Sequence, residues 1–175
     1  MFDLILDFAL LAGAYALIYA FRLRRRDGRT RVWFTLLYIY LCMVVCVTLM
    51  PFQLAIPGAN RLVLSEINLE PFRDLKRGYL GARSGIALNC LMFMPLGFLL
   101  PTLKKRGIVK VFFWSLFTSL LIEGIQFMYC WGAAEHRRSV DVTDVIMNTA
   151  GGVIGYLLFR LVHPKLIKID PDIPS

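Results

Sequence analysis

Five apolar runs, each long enough to cross a lipid bilayer, dominate the sequence. They lie near residues 2–21, 33–50, 86–102, 108–130 and 140–162. A helix needs about 20 residues to cross about 30 Å of hydrocarbon, and only helices and closed barrels satisfy their own backbone groups in lipid. The runs are too long for barrel strands and show no strand-like alternation. We therefore predict an all-α integral membrane protein, a bundle of about five transmembrane helices with an outer interfacial loop.

The third run is the shortest of the five, and the longest connection in the chain precedes it. We expect Pro95 and Pro101 to kink or shorten this span where it lines a cavity. The connection from Pro51 to about Ser84 interleaves apolar with polar residues. This composition favours a segment that lies in the membrane interface or folds back over the bundle, and a solvated connector is the alternative.

Composition and charge exclude an ordinary soluble domain and argue against nucleic acid as a partner. The 175 residues are 58% hydrophobic and 18% charged, whereas soluble domains carry about 25% charge. The net charge is +8, but the basic residues lie in short loops beside the spans. Thirteen of the 20 Lys and Arg fall on one side of the five spans and seven on the other. Positive charge is enriched on the cytoplasmic side, so we predict the N-terminus outside and the C-terminus inside.

Polar residues inside the last three runs predict a site in the outer half of the bilayer. Glu123 and Gln126 share one face of the fourth span, and Asp141, Asp144 and Asn148 share one face in the first two turns of the fifth. Polar groups exposed to lipid are costly, so we expect them to face each other or a wet cavity. The candidate ligand-binding residues are Asn89, Glu123, Gln126, Arg138, Asp141, Asp144 and Asn148.

The chemistry of this cluster leaves alternatives open. Glu123, Asp141 and Asp144 are candidate catalytic groups because paired carboxylates can act as general acid and base. Asp141 and Asp144 are equally explained as first-turn acids that favour the start of a helix, with Asp141 or Ser139 as its cap. Arg138 fits a structural ion pair as well as a site. No metal or cofactor motif is present, so we predict no metal and no cofactor.

Cysteine and glycine patterns add two structural expectations. The four cysteines lack metal-type spacing, and a disulfide between Cys90 and Cys130 is geometrically conceivable because both lie toward the outer ends of their spans. The "NTAGGVIGY" segment contains a GxxxG spacing, which predicts close helix packing rather than ligand binding.

Four short motifs, in order along the chain, resemble the VanZ family of bacterial membrane proteins. They are "INLEPF", "NCLMFMPLGFLLP", "EGIQ" and "RSVDVTDVIMNTAGGVIGY". The resemblance covers about residues 33–162. Together with the predicted spans and topology, it gives one membrane domain over 1–175: an extra N-terminal span and basic cytoplasmic loop (1–32), a VanZ-like core (33–162) and a cytoplasmic tail (163–175). It also implies location in the bacterial cytoplasmic membrane.

The resemblance implies a role in the cell envelope without an established reaction. The family takes its name from an accessory protein of glycopeptide resistance that lowers susceptibility to teicoplanin, an antibiotic with a lipid tail. Our first hypothesis is that an outer polar pocket binds a membrane lipid, a lipid-linked cell-wall precursor or a lipoglycopeptide. The second is an enzyme that modifies a lipid-linked envelope substrate with paired carboxylates. The third is a structural or partner-binding helix bundle.

Overall fold

The computed structural model describes residues 2–50, 67–132, 140–169 and 173. In chain order its elements are α1 (Phe2–Phe21), a short 3₁₀ helix (Leu23–Arg25), α2 (Gly28–Thr48), β1 (Ile67–Asn68), α3 (Arg73–Lys76), α4 (Ala82–Leu103), α5 (Ile108–Gly132), β2 (Val140–Asp141) and α6 (Val142–Ile169). Five of these helices, α1, α2, α4, α5 and α6, are long and apolar enough to cross a membrane. The prediction of an all-α membrane protein with five spans is confirmed.

The expected length of the third span is wrong. Helix α4 has 22 residues, whereas α1 has 20 and α2 has 21. It begins at Ala82, four residues before the apolar run, and continues through both Pro95 and Pro101. Proline is tolerated in a membrane helix when neighbouring groups satisfy the backbone. At the end of α4 two arginines satisfy terminal carbonyls: Arg29 Nη2 donates to the Thr102 carbonyl at 3.0 Å, and Arg106 Nη1 donates to the Leu100 carbonyl at 2.6 Å.

Helices α4 and α6 form the closest pair in the bundle, and glycine makes their approach possible. A Cβ atom on Gly151 would collide with the Cys90 carbonyl, and one on Gly155 with the Met94 carbonyl. Both residue numbers increase together along this contact, so α4 and α6 run parallel. The expectation that the glycine-rich segment serves close packing is confirmed.

Helix α5 packs antiparallel to α6. Ser119 faces Asn148 at one level, and Ser115 faces Gly152 one turn further along α6. The apolar core lies where α2, α4 and α5 meet and comprises Val44, Leu49, Phe93, Leu96, Leu100 and Ile122. Helix α2 is tied to α4 by the Tyr40 hydroxyl, which donates to the Met92 carbonyl at 2.8 Å.

Helix α1 is attached to the bundle mainly through α2. The Tyr38 hydroxyl donates to the Leu11 carbonyl at 2.7 Å, and Tyr15 and Thr35 hydroxyls share a hydrogen bond of the same length. These contacts make α1 and α2 antiparallel, so the five spanning helices alternate in direction. The loops 22–27 and 104–107 therefore share one end, called the basic end. The strand pair, α3 and the starts of α4 and α6 share the other, called the polar end.

A parallel strand pair at the polar end departs from the prediction. Ile67 pairs with Val140 and Asn68 with Asp141. Two-residue strands are too short to show alternation, so no local sequence pattern predicts them. Asp141 therefore lies in β2, immediately before α6, rather than in the first turn of the fifth span. Residues 67–81 fold back over the start of α6, whereas 51–66 lie outside the described residues.

Candidate functional site

Asn68 and Asp141 form the centre of the polar end. Asn68 is 1% exposed. Its Nδ2 donates to Asp141 Oδ2 at 2.8 Å, and its Oδ1 accepts from the Glu70 backbone N–H at 3.1 Å. The other carboxylate oxygen of Asp141 accepts from the Thr143 backbone N–H at 2.7 Å, which is the geometry of a helix N-cap. The capping interpretation of Asp141 is the one that this geometry favours.

Glu123 connects α5 to the same strand pair. Its Oε2 accepts from the Asp141 backbone N–H at 3.1 Å, and the residue is only 5% exposed. A buried carboxylate needs hydrogen-bond donors to offset the loss of water. The position of Glu123 therefore serves to hold β2 against α5, and its carboxylate is not among the groups that line the cavity described next.

Asp144 lines a cavity of about 220 Å³ at the polar end. The Asp141 and Asp74 side chains also line it, and the Asn89 side chain hydrogen-bonds Asp144. The cavity therefore presents mainly hydrogen-bond acceptors. Apolar side chains also line the cavity, among them Leu80, which is fully exposed.

Two predicted site residues make their contacts away from this cavity. Gln126 Nε2 donates to the Thr48 carbonyl at 3.2 Å and so joins α5 to the end of α2. Asn148 is 2% exposed, and its Nδ2 donates to Ser119 Oγ at 2.9 Å between α5 and α6. The Asn148 Oδ1 and Ser115 Oγ atoms are buried without a hydrogen-bond partner. Gln126 and Asn148 therefore join helices and do not line the cavity.

Arg138 lies outside the described residues, as do His136 and Arg137. The cations that the structure does place at the polar end belong to α3. Lys76 Nζ donates to Glu70 Oε1 at 3.0 Å, and this bond lowers the pKa of the Glu70 carboxyl below its ordinary value. Arg73 Nε lies 3.5 Å from Asp74 Oδ1. Asp74 is therefore partly balanced, whereas the structure records no cation against Asp144 within its described residues.

Sequence reasoning missed Asn68 and Thr143 as site residues. Thr143 is 5% exposed, and its Oγ1 accepts from the Phe72 backbone N–H at 3.0 Å. Phe72 has a φ of 58°, a left-handed conformation that is rare for a bulky residue and costs about 1–3 kcal/mol. Surrounding contacts hold it there, and its side chain forms part of the cavity wall. Asn68 lies in the "INLEPF" motif, and this position was the signal available in the sequence.

The described residues contain neither a metal-binding group of side chains nor the disulfide that the sequence made conceivable. No group of three His, Cys, Asp or Glu side chains in this part of the chain is arranged to hold a metal ion. Cys90 has a free thiol, so the structure contains no disulfide between Cys90 and Cys130.

These features define a class: a multi-pass helical membrane protein with an acidic, partly apolar cavity at one end of the bundle. Comparison with known proteins gives the family. The VanZ/LLP1 family model matches residues 35–163. Protein VanZ of Enterococcus faecium is 33% identical over 138 residues, which cover 77% of this chain and 79% of that protein. The chain belongs to the VanZ/LLP1 family. No solved structure matches it.

Proposed function

We propose that this protein binds an amphipathic envelope molecule at its polar end and thereby lowers susceptibility to teicoplanin. The ligand class is a membrane lipid, a lipid-linked cell-wall precursor or a lipoglycopeptide. The observation that carries the proposal is the acceptor-rich cavity, which has an exposed apolar border. Family membership and the similarity to Protein VanZ support the resistance role.

The chemistry of the cavity suits hydrogen-bond donors on a ligand. Three carboxylates, Asp74, Asp141 and Asp144, line about 220 Å³. Asp141 already uses both oxygens within the protein, so Asp144 is the carboxylate best placed to accept from a ligand hydroxyl or ammonium group. The volume takes a small polar part of a molecule rather than a whole lipid or antibiotic.

The border of the cavity suits the apolar part of the same ligand. Leu75 is 40% exposed, Tyr79 is 55% exposed and Leu80 has no shielding at all. These side chains precede α4 at the end of the bundle, where a lipid tail can lie against them while the polar group enters the cavity. Burial of apolar surface is worth about 25 cal/mol per Å², so this contact adds affinity for lipid-tailed molecules.

The polar end is proposed to face the outside of the bacterial cytoplasmic membrane. Lys and Arg are enriched in the basic end, and positive charge favours the cytoplasmic side. The cavity would then lie in the leaflet where cell-wall precursors and glycopeptides meet.

The test is teicoplanin susceptibility, beside vancomycin, of a sensitive host that produces the native chain or Asp144→Asn at equal membrane levels. We expect the native chain to protect and Asp144→Asn to lose most of the protection, because the neutral amide replaces an ionic acceptor. A hydrogen bond to a charged group contributes about 1.5–3 kcal/mol, so teicoplanin affinity of the purified protein should fall about tenfold or more.

Asp27→Asn is the matched control, because Asp27 lies at the basic end and Asn retains its capping role. The proposal fails if Asp144→Asn protects as well as the native chain, or if the control loses protection equally. Glu123→Gln adds a third arm: its carbonyl can still accept from the Asp141 backbone N–H, so we expect it to retain protection. Full loss in Glu123→Gln with full retention in Asp144→Asn would move the binding group to Glu123.

A further inference from the structure

A second and larger concavity lies at the opposite end of the molecule. It is a groove of about 830 Å³ between the end of α1, the start of α2 and the end of α4. This volume falls within the range of about 300–1,000 Å³ that is usual for small-molecule sites. The groove is far from the carboxylates of the polar end because the five spanning helices alternate in direction.

The walls of the groove combine two chemistries in a fixed order. Toward the middle of the helices they are apolar, with Leu17 and Ile18 from α1 and Phe34 from α2. At the rim, where the chain leaves the apolar spans, the lining residues include Arg22, Arg26 and Lys104. The order from apolar wall to cationic rim is the order from acyl chain to headgroup in a phospholipid.

The three rim cations are available to a ligand. No carboxylate of the described chain lies within ion-pairing distance of Arg22, Arg26 or Lys104. Two other arginines at the basic end are engaged by the protein: Arg29 donates to the Thr102 carbonyl, and Arg106 donates to that of Leu100 and lies 5.8 Å from the Trp114 ring. Three cations of the basic end that have no recorded carboxylate partner therefore line the groove.

Asp27 is the acidic residue nearest in sequence to Arg22 and Arg26, and its carboxylate already accepts two hydrogen bonds. Its Oδ2 accepts from the Thr30 backbone N–H at 2.8 Å, and its Oδ1 accepts from the Thr30 hydroxyl at 2.7 Å. The backbone hydrogen bond lowers the pKa of Asp27, so this carboxylate stays ionised as the cap of α2. An anion at the groove rim does not need to displace it.

We propose that this groove binds an anionic membrane phospholipid, with the headgroup phosphate at Arg22, Arg26 and Lys104 and an acyl chain along Leu17, Ile18 and Phe34. Charge complementarity selects an anionic headgroup, and basic pockets between helices on the cytoplasmic side are typical sites for such lipids. The apolar wall selects a lipid over a free phosphate. The ligand fills the space between α1 and α4, and so it attaches α1 to the remainder of the bundle.

The site is distinct from the proposed function, and its test uses different residues. The purified full chain is titrated in detergent with phosphatidylglycerol or with phosphatidylcholine of the same acyl chains, and bound lipid is counted by native mass spectrometry. The native chain is compared with Arg22→Gln, Arg26→Gln and Lys104→Gln combined. The matched control combines Arg24→Gln, Arg25→Gln and Lys105→Gln, which remove equal charge from exposed neighbours that do not line the groove.

We expect the native chain to bind phosphatidylglycerol about tenfold more tightly than phosphatidylcholine, because three basic side chains at the rim attract an anionic headgroup. The groove variant should lose this preference, and the control should keep most of it. Equal loss in both variants would overturn the proposal, since general charge attraction would then explain binding. If the native chain binds the two lipids equally, that result alone overturns the proposal.

Two further measurements test a free phosphate as the ligand and the folding of the variants. Excess glycerol 3-phosphate should not displace phosphatidylglycerol, and full displacement would assign the rim to a free phosphate instead. Size-exclusion chromatography checks that both triple variants remain folded. If the groove variant aggregates, Arg26→Gln is compared with Arg25→Gln instead. We expect Arg26→Gln to lose more of the preference for phosphatidylglycerol than Arg25→Gln. Equal preference in these two single variants would overturn the proposal.

Discussion

At the scale of single residues, the polar end is organised by pairs that cross between distant parts of the chain. Asn68 donates to Asp141, which is 73 positions later in the sequence, and Asp141 in turn donates its backbone N–H to Glu123. Asn68, Asp141 and Glu123 each have a specific hydrogen-bond partner, and leaving such a group unsatisfied is costly. The candidate carboxylates therefore have different roles: two hold the backbone in place, and Asp144 faces the cavity.

The first prediction concerns Asn68. Asn68→Ala leaves a carboxylate oxygen of Asp141 and the backbone N–H of Glu70 without their partners. We expect the free energy of unfolding to fall by about 1–3 kcal/mol, the usual penalty for a buried unsatisfied polar group. Denaturant unfolding of the purified protein, followed by tryptophan fluorescence, measures this change.

Glu70→Gln is the control for Asn68→Ala. It removes the ion pair with Lys76 but leaves the backbone N–H of residue 70 bonded to Asn68. Exposed ion pairs contribute little, so we expect no measurable change in stability. An equally small effect of Asn68→Ala would show that the contact between Asn68 and Asp141 does not contribute to the free energy of unfolding.

At the scale of elements, the α4–α6 contact depends on the absence of side chains. Gly97, Gly151 and Gly155 lie where a Cβ would meet backbone atoms of the other helix. Membrane helices gain no hydrophobic energy from leaving lipid for one another, so close backbone packing supplies much of their association. This contact sets the parallel register that brings Asn89 to the level of Asp144.

The second prediction concerns this contact. Gly155→Ala places a methyl group against the Met94 carbonyl, and a backbone atom cannot move aside cheaply. We expect a loss of about 1–3 kcal/mol, as for other overpacked interiors, and separation of α4 from α6. Gly124→Ala in α5 meets nothing within 4 Å and serves as the matched control. Thermal unfolding in detergent measures both, and equal midpoints would contradict the proposed packing.

At the scale of the whole molecule, alternating helix direction separates two chemistries. Carboxylates and carboxamides gather at the polar end, whereas Arg and Lys dominate the loops at the basic end. Each spanning helix reverses the direction of the one before it, so loops that are far apart in the sequence share an end. The amphiphile cavity and the phospholipid groove are therefore proposed for opposite leaflets.

The third prediction concerns orientation. In a chain whose four cysteines are replaced by alanine, Leu80→Cys places a thiol at the polar end and Arg25→Cys places one at the basic end. We expect a membrane-impermeant maleimide to label Leu80→Cys in intact cells and Arg25→Cys only after the membrane is opened, because positive charge stays cytoplasmic. The reverse labelling pattern would invert the proposed topology.

The sequence alone determined the fold class, the number of spans and the polar character of one end. A membrane helix satisfies its own backbone hydrogen bonds, so apolar length identifies it without knowledge of its neighbours. The ends of α1 and α5 lie close to those of the apolar runs for this reason. The start of α4 was misplaced because its first residues, "ARSG", are polar and extend beyond the apolar run.

Only the tertiary structure decided how the polar residues are partnered. Asn68, Thr143 and the strand pair depend on contacts between segments that are about 70 residues apart, and two-residue strands leave no periodic signal. The groove at the basic end likewise requires α1, α2 and α4 together. Local sequence specifies which segments enter the membrane, whereas glycine contacts and long-range hydrogen bonds select which of their faces meet.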